Sequence, residues 1–230
     1  MGNLSVTLSQ DTKQIIYGGL LGDATLNKKQ NQIKFLQSIK QKEYLLWKYS
    51  FFNANDVSNL YQYQFEYKGT DCINLSFTLN NPDGRYVDFY HKIRKQIYDK
   101  NNVKRVTREW LDTLTPLGLA VWWMDDGCLS IHKGNRYGKL CTHCFTYEEH
   151  LIIQQYFQEV WDIKLDIKIE KNKYYFCRFN VQNLKKLISV IYTYVTEIPS
   201  MIYKIDLNYT NNVNLKEFTP IYNYIKSKIV

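Results

Sequence analysis

Two acidic residues close two short apolar stretches, and they are the first candidates for chemistry. Asp23 lies near the end of the run 16–24, and Asp126 near the end of the run 119–127. A carboxylate at the C-terminal end of a helix meets the negative end of the helix dipole, which is unfavourable unless a cation binds there. Two such carboxylates brought together repel each other without a cation between them. Hard oxygen ligands suit Mg²⁺ that keeps several waters, so we predict a metal site.

The elements that must position these carboxylates are two helices of an internal repeat. Thr115 and Pro116 supply an N-cap and a proline at the first helical position ahead of the second run. That helix is apolar on nearly every face and should be buried. Aligning Asp23 with Asp126 gives an offset of 126 − 23 = 103 residues and places Thr12 on Thr115 as matching helix starts. The chain is therefore a candidate tandem duplication.

Both nine-residue runs resemble the motif that names the LAGLIDADG family of homing endonucleases, with the acidic residue at the eighth position each time. The resemblance extends to segments 115–127, 145–149 and 198–204, and it covers roughly residues 12–207. Two motifs in one chain resemble the monomeric, intron-encoded branch. The resemblance implies metal-dependent cleavage of both strands of a long, non-palindromic DNA target. It assigns Asp23 and Asp126 to the metals, with Mg²⁺ as cofactor and Mn²⁺ as a substitute.

The expected fold is α+β (mixed α/β), with two pseudo-symmetric αββαββα repeats, paired central helices and antiparallel sheets that form a DNA-binding saddle. We divide the chain into an N-terminal arm (1–11), a first repeat (12–99), a linker (100–114), a second repeat (115–207) and a C-terminal extension (208–230). Strands are predicted near 25–29, 32–38, 61–67, 73–79, 128–133, 139–145, 163–170 and 173–179. Further helices are predicted at 42–52, 85–99, 147–161, 181–195 and 219–228.

The interface between the two central helices cannot be symmetric. Gly18 and Gly22 leave the first helix thin enough for close backbone approach, whereas Val121 stands at the position offset from Gly18. Asp125 has no acidic counterpart, because the offset places it on Gly22, and we treat it as secondary. Such divergence is expected of a monomer that reads a non-palindromic site.

Further site residues follow from the resemblance. Family members place a basic residue near each metal, and Lys104 and Lys204 match those positions, with Arg105 as an adjacent alternative to Lys104. Either lysine could instead hold only a phosphate. Gln37 and His143, near the ends of the second strand of each repeat, match the polar positions that order water. Histidine replaces the usual amide at 143, and 37 + 103 gives 140, so the repeat has drifted by insertion.

Strict alternation in 61–67 and 73–79 predicts two half-buried strands with one apolar and one polar face. We expect the aromatic residues Tyr61, Tyr63 and Phe65 to share a face with Leu75, and the amides to share the other. Short polar side chains on a sheet suit base edges in a major groove, although an ordinary solvated face is the alternative. The candidate DNA-binding residues, including basic turn residues for phosphates, are Asn27, Lys28, Lys29, Gln32, Lys34, Gln62, Gln64, Asn74, Ser76, Ser130, His132, Lys133, Arg136, Lys139, Lys164, Lys168 and Lys173.

The composition favours a polyanionic partner. Lys and Arg number 30 against 22 acidic residues, which gives a net charge of +8 and a pI near 9.0. Nucleic acid fits this balance, and an anionic membrane surface is the alternative. No apolar run approaches the ~20 residues of a membrane span, and no charged-then-apolar leader opens the chain. We therefore expect a soluble, intracellular protein, in a bacterial or phage-infected cytoplasm or in an organelle, and the resemblance implies a monomer.

The five cysteines are an odd number and imply no disulfide framework, which is compatible with a reducing compartment. Cys141 and Cys144, with Cys128 and His132 upstream, could be read as a zinc hairpin. Strand alternation would place Cys141 and Cys144 on opposite faces, so small core or surface thiols are the favoured reading.

Two rival functions remain for the same motifs. One is an RNA maturase that assists intron splicing, with intron RNA as partner. The other is a DNA-binding regulator that has kept the fold without catalysis. Intact Asp23 and Asp126 favour retained nuclease activity without excluding a second role.

Overall fold

The computed structural model describes residues 8–27, 31–81, 84–132 and 135–207. Lys28, Lys29 and Lys133 lie outside the described residues, and so do residues 208–230 with their expected terminal helix. The first repeat consists of α1 (Gln10–Leu21), β1 (Thr25–Asn27), β2 (Gln32–Ser38), α2 (Lys42–Tyr49), β3 (Tyr61–Tyr67), β4 (Thr70–Leu79) and α3 (Val87–Ile97). The short helix α4 (Arg108–Leu111) lies in the linker. The second repeat consists of α5 (Pro116–Asp126), β5 (Gly127–His132), β6 (Asn135–Leu140), α6 (Tyr147–Trp161), β7 (Asp166–Glu170), β8 (Tyr174–Phe179) and α7 (Val181–Thr196).

The order αββαββα occurs twice, which confirms the expected fold class. Each repeat builds one four-stranded antiparallel sheet, with the orders β1-β2-β4-β3 and β5-β6-β8-β7. The same strand order in both sheets is what a tandem duplication predicts. In β2 and β4 the buried residues Ile33, Phe35, Leu75, Phe77 and Leu79 share one face, so the first sheet has a core face and an open face.

The central helices α1 and α5 pack closely because α1 carries glycines at the contact. A Cβ atom added to Gly18 would lie 2.2 Å from the carbonyl oxygen of Gly118, and one added to Gly22 would lie 2.4 Å from Cβ of Asp125. Residues 117–124 of α5 are all buried, as expected from their apolar pattern. The asymmetric, glycine-lined interface predicted from the sequence is present.

The starts of the two central helices differ from the prediction. Ser9, not Thr12, is the N-cap of α1, and its side chain accepts a hydrogen bond from the Thr12 amide at 3.0 Å. Thr115 occupies the N-cap position of α5 but makes no capping bond through its side chain. Gln14 of α1 instead holds the segment before α5, since its Oε1 accepts from the Thr115 amide at 2.8 Å and its Nε2 donates to the Thr113 carbonyl at 2.8 Å.

Several strand and helix ends also differ. Helix α2 ends at Tyr49 rather than at residue 52, and β7 begins at Asp166 rather than at residue 163. Strand β6 ends at Leu140 rather than at 145, because Phe145 donates to the Thr142 carbonyl at 3.0 Å in a turn. An alternating pattern cannot reveal such a turn, since it depends on backbone hydrogen bonds.

The faces of the β3–β4 hairpin were predicted wrongly. Tyr63 pairs with Asn74 and Gln64 pairs with Ile73, so the aromatic residues of β3 share the open face with Asn74. Gln62 and Gln64 lie on the other face, opposite Leu75 and Ile73. A two-residue turn determines which residues of β3 and β4 pair. In this turn Lys68 and Gly69 both have positive φ, at 51° and 75°. Both positive values suit the tight hairpin turns that match strand twist.

Candidate active site

The C-terminal ends of α1 and α5 meet at one point. Asp23 lies two residues beyond the end of α1, and Asp126 is the last residue of α5. The backbone amide of Asp23 donates to Oδ2 of Asp125 at 3.2 Å, which joins the two motifs directly. The paired helices therefore bring Asp23 and the Asp125–Asp126 pair into one cluster of carboxylates.

Asp125 is the centre of a buried hydrogen-bond network. Its side chain has 0% exposure, and its Oδ1 accepts from Lys48 Nζ at 2.6 Å, from the Tyr44 hydroxyl at 2.9 Å and from Gln37 Nε2 at 3.1 Å. Its Oδ2 accepts from the Asp23 amide. The sequence analysis treated Asp125 as secondary, whereas the structure shows that it connects the first repeat to the second motif.

Helix α2 supplies two of these donors. Tyr44 and Lys48 are four residues apart and so lie on one helical face, towards Asp125. Lys48 is 1% exposed, and its Nζ also lies 4.1 Å from the centre of the Tyr44 ring, in a cation–π contact. Sequence reasoning missed both residues. The available signal was a lysine at helical spacing from apolar residues in a helix expected to cover the sheet.

Gln37 lies between Asp23 and Asp125, and its predicted role in ordering water stays a prediction. Its side chain is buried, and Nε2 donates to Oδ2 of Asp23 at 3.0 Å and to Oδ1 of Asp125 at 3.1 Å. Both amide hydrogens are therefore directed to carboxylates. Gln37 holds Asp23 and Asp125 at a fixed distance from one another.

The carboxylate of Asp126 differs because, among the described residues, no side chain or backbone amide hydrogen-bonds to it. Burial, and then the charges of Asp125 and Asp23, raise the pKa of Asp126 to about 8, against the opposing effect of Lys104 and Lys204. Burial also raises the pKa of Asp125, although Lys48 opposes this shift. A bound cation would favour the ionised form of Asp126, against the burial and the neighbouring negative charges that disfavour it.

Comparison with known proteins places this geometry in a family. The sequence model of the LAGLIDADG DNA endonuclease family matches residues 13–187, which is most of the chain. The chain belongs to this family. The fold resembles that of the homing endonuclease I-WcaI, solved bound to its DNA recognition sequence, with a TM-score of 0.73 and 21% identity over 89% of each chain.

Curated relatives are similar in sequence over much of this LAGLIDADG protein. The cytochrome b mRNA maturase bI2 of Saccharomyces cerevisiae is 27% identical over 216 residues, which is 89% of this chain and 49% of the maturase. RecA of Mycobacterium gastri is 26% identical over 184 residues, which is 71% of this chain and 39% of that protein. The chain thus spans half or less of the length of these two relatives.

Lys204 lies at the C-terminal end of α5 and is 8% exposed. Its Nζ donates to the Gly127 carbonyl at 2.7 Å and lies 3.5 Å from the Asp125 carbonyl. A cation at this end offsets the negative end of the helix dipole. Burial lowers the pKa of Lys204, with Asp125 first among the groups that oppose this shift. Lys204 is therefore tied to the C-terminal end of α5, and its catalytic role stays a prediction.

Lys104 is the second predicted lysine, and its surroundings differ from those of the adjacent Arg105. Burial lowers the pKa of Lys104, while the charges of Cys144 and Asp126 raise it. Arg105 is directed elsewhere, since its Nε lies 3.0 Å from Asp99 and its Nη1 lies 3.7 Å from Glu149. Of the two candidates, Lys104 is the one with an electrostatic connection to the carboxylate cluster.

The segments that carry Lys204 and Lys104 are each held by a hydrogen bond to a helix, α2 or α6. The segment before Lys204 is fixed to α2, since Glu43 accepts from the Ser200 amide at 2.9 Å and Trp47 donates to Glu197 at 2.8 Å. The segment after Lys104 is fixed to α6, since Glu149 accepts from the Val106 amide at 2.7 Å. A helix of the first repeat therefore holds the segment before Lys204, and a helix of the second repeat holds the linker segment that carries Lys104.

His143 lies away from the position that Gln37 takes in the first repeat. Lys34 pairs with Thr25 and Lys139 pairs with Cys128, an offset of 139 − 34 = 105 between the second strands. Applied to Gln37, this offset gives 142. Thr142 is buried there, and its Oγ1 is 2.7 Å from Nε2 of His150.

His143 itself is beside the second sheet. Its Nε2 lies 3.2 Å from Glu170, and its ring contacts Tyr174 and Phe176. Within the described residues no hydrogen bond joins His143 to Asp126. A catalytic role for His143 stays a prediction.

The candidate DNA-binding residues separate by face. The register places on the open faces Asn27, Gln32, Lys34, Asn74, Ser76, Ser130, Lys139 and Lys168. Gln62, Gln64 and Arg136 lie on the opposite side of their strands, because they pair with Leu75, Ile73 and Ile131. Lys164 and Lys173 are exposed just outside strands. His132 lies in β5, and its side chain is outside the description.

Some open-face residues already have partners. Gln32 Nε2 donates to Asn80 Oδ1 at 3.0 Å, and Lys139 Nζ donates to Glu170 at 2.9 Å. Ser76 is only 4% exposed. Lys34 is exposed, and its role as a phosphate contact stays a prediction. No helix among the described residues is long and apolar enough to cross a membrane.

Proposed function

We propose that this protein is a site-specific homing endonuclease that cleaves both strands of a long, non-palindromic DNA duplex in a metal-dependent reaction. The observation that carries the proposal is the meeting of the Asp23 and Asp126 motif ends between two open-faced sheets. The DNA-bound I-WcaI structure, with its similar fold, supports a DNA partner. Both motifs lie in one chain, so a monomer supplies both acidic residues.

The carboxylate cluster fits divalent cations. Within the described residues no group of three or more His, Cys, Asp and Glu side chains forms a metal centre. Mg²⁺ is commonly held by one or two carboxylates together with substrate phosphates, so Asp23 and Asp126 suffice as protein ligands, with Mn²⁺ as a substitute. Such an ion, when bound, lowers the pKa of a coordinated water and stabilises the charge that develops on phosphate oxygens.

The residues of the chain itself prepare this site. Gln37 and Asp125 fix Asp23 by hydrogen bonds to its carboxylate and its amide. The buried Lys204 and the half-buried Lys104 supply positive charge for the carboxylate cluster, where it would stabilise the additional negative charge of the transition state more strongly than in water. The open faces supply polar and basic groups for bases and phosphates.

The test uses a plasmid that carries the intron-free form of the gene's own locus. We expect Asp23→Asn and Asp126→Asn each to abolish double-strand cleavage in Mg²⁺ while folding and most binding remain, because each change removes one anionic metal ligand. Nicked plasmid can persist if the two carboxylates serve different strands. The matched control is Asp71→Asn, which changes an exposed aspartate in the β3–β4 hairpin. Linear product at the wild-type rate from either variant would remove that carboxylate from the mechanism.

A second function is favoured by one comparison. The similarity to the yeast mRNA maturase covers 89% of this chain, so assistance of intron splicing is the alternative. Splicing of the host intron RNA would be measured with the wild type and with the Asp126→Asn variant. Splicing that survives the loss of cleavage would establish the maturase role as separate. A chain that binds the duplex but neither cleaves nor splices would be a DNA-binding regulator.

A further inference from the structure

Strand β3 presents its apolar residues outward. Tyr61, Tyr63, Phe65 and Tyr67, here called the aromatic ladder, share the open face of the first sheet, as the pairing of Tyr63 with Asn74 shows. The alternating polar residues lie on the face that elsewhere covers the core, since Gln64 pairs with Ile73. Strands with one solvated face normally turn their apolar side inward. In β3 both faces are largely exposed, and the aromatic side chains are on the face shared with the open side of the sheet.

The aromatic ladder is accessible as a continuous surface. Tyr61 is 63% exposed, Phe65 39% and Tyr67 59%. The Tyr61 and Tyr63 rings lie 6.2 Å apart with an angle of 22° between their planes, and the Tyr63 and Phe65 rings lie 5.9 Å apart. These rings form a row of exposed aromatic surface along β3, which is an edge strand of its sheet.

Positive charges lie beside the rings of the aromatic ladder, and the acidic residues of the hairpin lie on the opposite face. Lys34 Nζ lies 5.4 Å from the Tyr63 ring centre, and Lys68 Nζ lies 5.3 Å from the Tyr67 ring centre. The hairpin's two acidic residues, Glu66 and Asp71, pair with each other on the opposite face. Among the described strands of the first sheet, the remaining open-face residues are uncharged except for Lys34, and they are Thr25, Asn27, Gln32, Leu36, Ser38, Thr70, Cys72, Asn74, Ser76 and Thr78.

We propose that the aromatic ladder binds single-stranded nucleic acid by stacking its rings on unpaired bases while Lys34 and Lys68 contact phosphates. This site goes beyond the endonuclease function, because paired bases in a duplex present only their edges in the grooves. Aromatic side chains with flanking cations are the usual means of binding unpaired bases. The positive charge beside the rings and the net charge of +8 disfavour a second copy of this chain on the same surface.

The experiment measures fluorescence anisotropy of a labelled oligouridylate and a labelled oligothymidylate, in EDTA so that no cleavage occurs. Three double variants are compared with the wild type. Tyr61→Ser with Tyr67→Ser removes two rings, Tyr61→Phe with Tyr67→Phe keeps them, and Gln62→Ser with Gln64→Ser is the matched control on the other face of the same strand. We expect the serine pair at the tyrosines to weaken binding by about tenfold or more, and the other two pairs to bind like the wild type. Circular dichroism checks that each variant is folded.

Preferential binding of either the RNA or the DNA strand supports the proposal and identifies the source of the ligand. Stacking would be excluded if the Gln62→Ser, Gln64→Ser variant lost as much affinity for the single strand as the Tyr61→Ser, Tyr67→Ser variant. It would also be excluded if the Tyr61→Phe, Tyr67→Phe variant lost as much. The proposal would also be overturned if Tyr61→Ser with Tyr67→Ser weakened binding of duplex only. Self-association of the wild type that this variant abolishes would overturn it as well. The assay measures binding without cleavage, so its result does not depend on whether the protein is a nuclease.

Discussion

Asp125 illustrates how a buried carboxylate is tolerated by the groups that donate to it. Lys48 lies at 2.6 Å, Tyr44 at 2.9 Å and Gln37 at 3.1 Å, and the Asp23 amide completes the set. The pKa of Asp125 is nevertheless raised by burial. A pair of buried charges contributes little to stability by itself, but removal of one partner leaves the other uncompensated.

Lys48→Met is therefore expected to lower the free energy of unfolding by about 3–5 kcal/mol, because the Asp125 carboxylate loses its cation. Urea denaturation at neutral pH measures this loss. Lys42→Met, an exposed lysine in the same helix, is the control and should change little. Adding Asp125→Asn to Lys48→Met should recover part of the stability. Wild-type stability of the single variant would show that Asp125 does not depend on Lys48.

Lys204→Met is expected to slow cleavage of bound DNA by about tenfold or more, roughly 1.4 kcal/mol, with a much smaller change in binding. The reason is that Lys204 lies beside the carboxylates and not on an open sheet face. Single-turnover cleavage in Mg²⁺ and a gel-shift titration in Ca²⁺ are measured on the same duplex. Because Lys204 also binds the Gly127 carbonyl, the unfolding midpoint of the variant is measured as a control. Weaker binding with unchanged cleavage of the saturated complex would assign Lys204 to the DNA backbone.

At the scale of elements, the start of α6 joins the linker to the second repeat. Thr146 and Glu149 form a capping box, in which Glu149 Oε2 accepts from the Thr146 amide at 2.7 Å. The other oxygen of Glu149 accepts from the buried Val106 amide at 2.7 Å, two residues after Lys104. One side chain thus caps a helix and fixes the segment that carries a candidate catalytic lysine.

Glu149→Ala is expected to lower the free energy of unfolding by about 2 kcal/mol, because it removes a cap and leaves the Val106 amide without its acceptor. It should also slow cleavage through displacement of Lys104. Thermal and urea unfolding measure the first effect, and single-turnover cleavage at a temperature where the variant is folded measures the second. The adjacent Glu148→Ala, at an exposed position, serves as the comparison. Equal behaviour of the two variants would contradict the assigned role.

At the scale of the whole molecule, the +8 charge predicts that duplex binding weakens steeply with salt. Each neutralised phosphate contributes about −0.9 to the slope of log affinity against log salt concentration, because counterions are released. Lys34→Gln on the open face should reduce the magnitude of the slope by about 0.9. Lys185→Gln, an exposed lysine of α7, makes the same charge change away from the strands and should leave the slope unchanged. Equal slopes in both variants would exclude Lys34 from the phosphate contacts.

The sequence by itself determined the order of the elements, because helix and strand periodicity depends on residues only a few positions apart. The buried helix α5, the αββαββα order and the carboxylates Asp23 and Asp126 at the helix ends were all predictable. The close approach at Gly18 and Gly22 was predictable as well, because only glycine leaves room for a neighbouring backbone. These features are properties of single segments or of their repetition.

Only the tertiary structure decided which residues meet. Lys48 and Asp125 are 77 residues apart, and the Asp23 amide is 102 residues from the carboxylate that it contacts, so no local pattern reveals either contact. The face presented by the aromatic residues of β3 depended on the two-residue turn at Lys68 and Gly69, which an alternating pattern alone does not specify. A strand's periodicity defines two faces, but the register with its neighbour determines which face is buried.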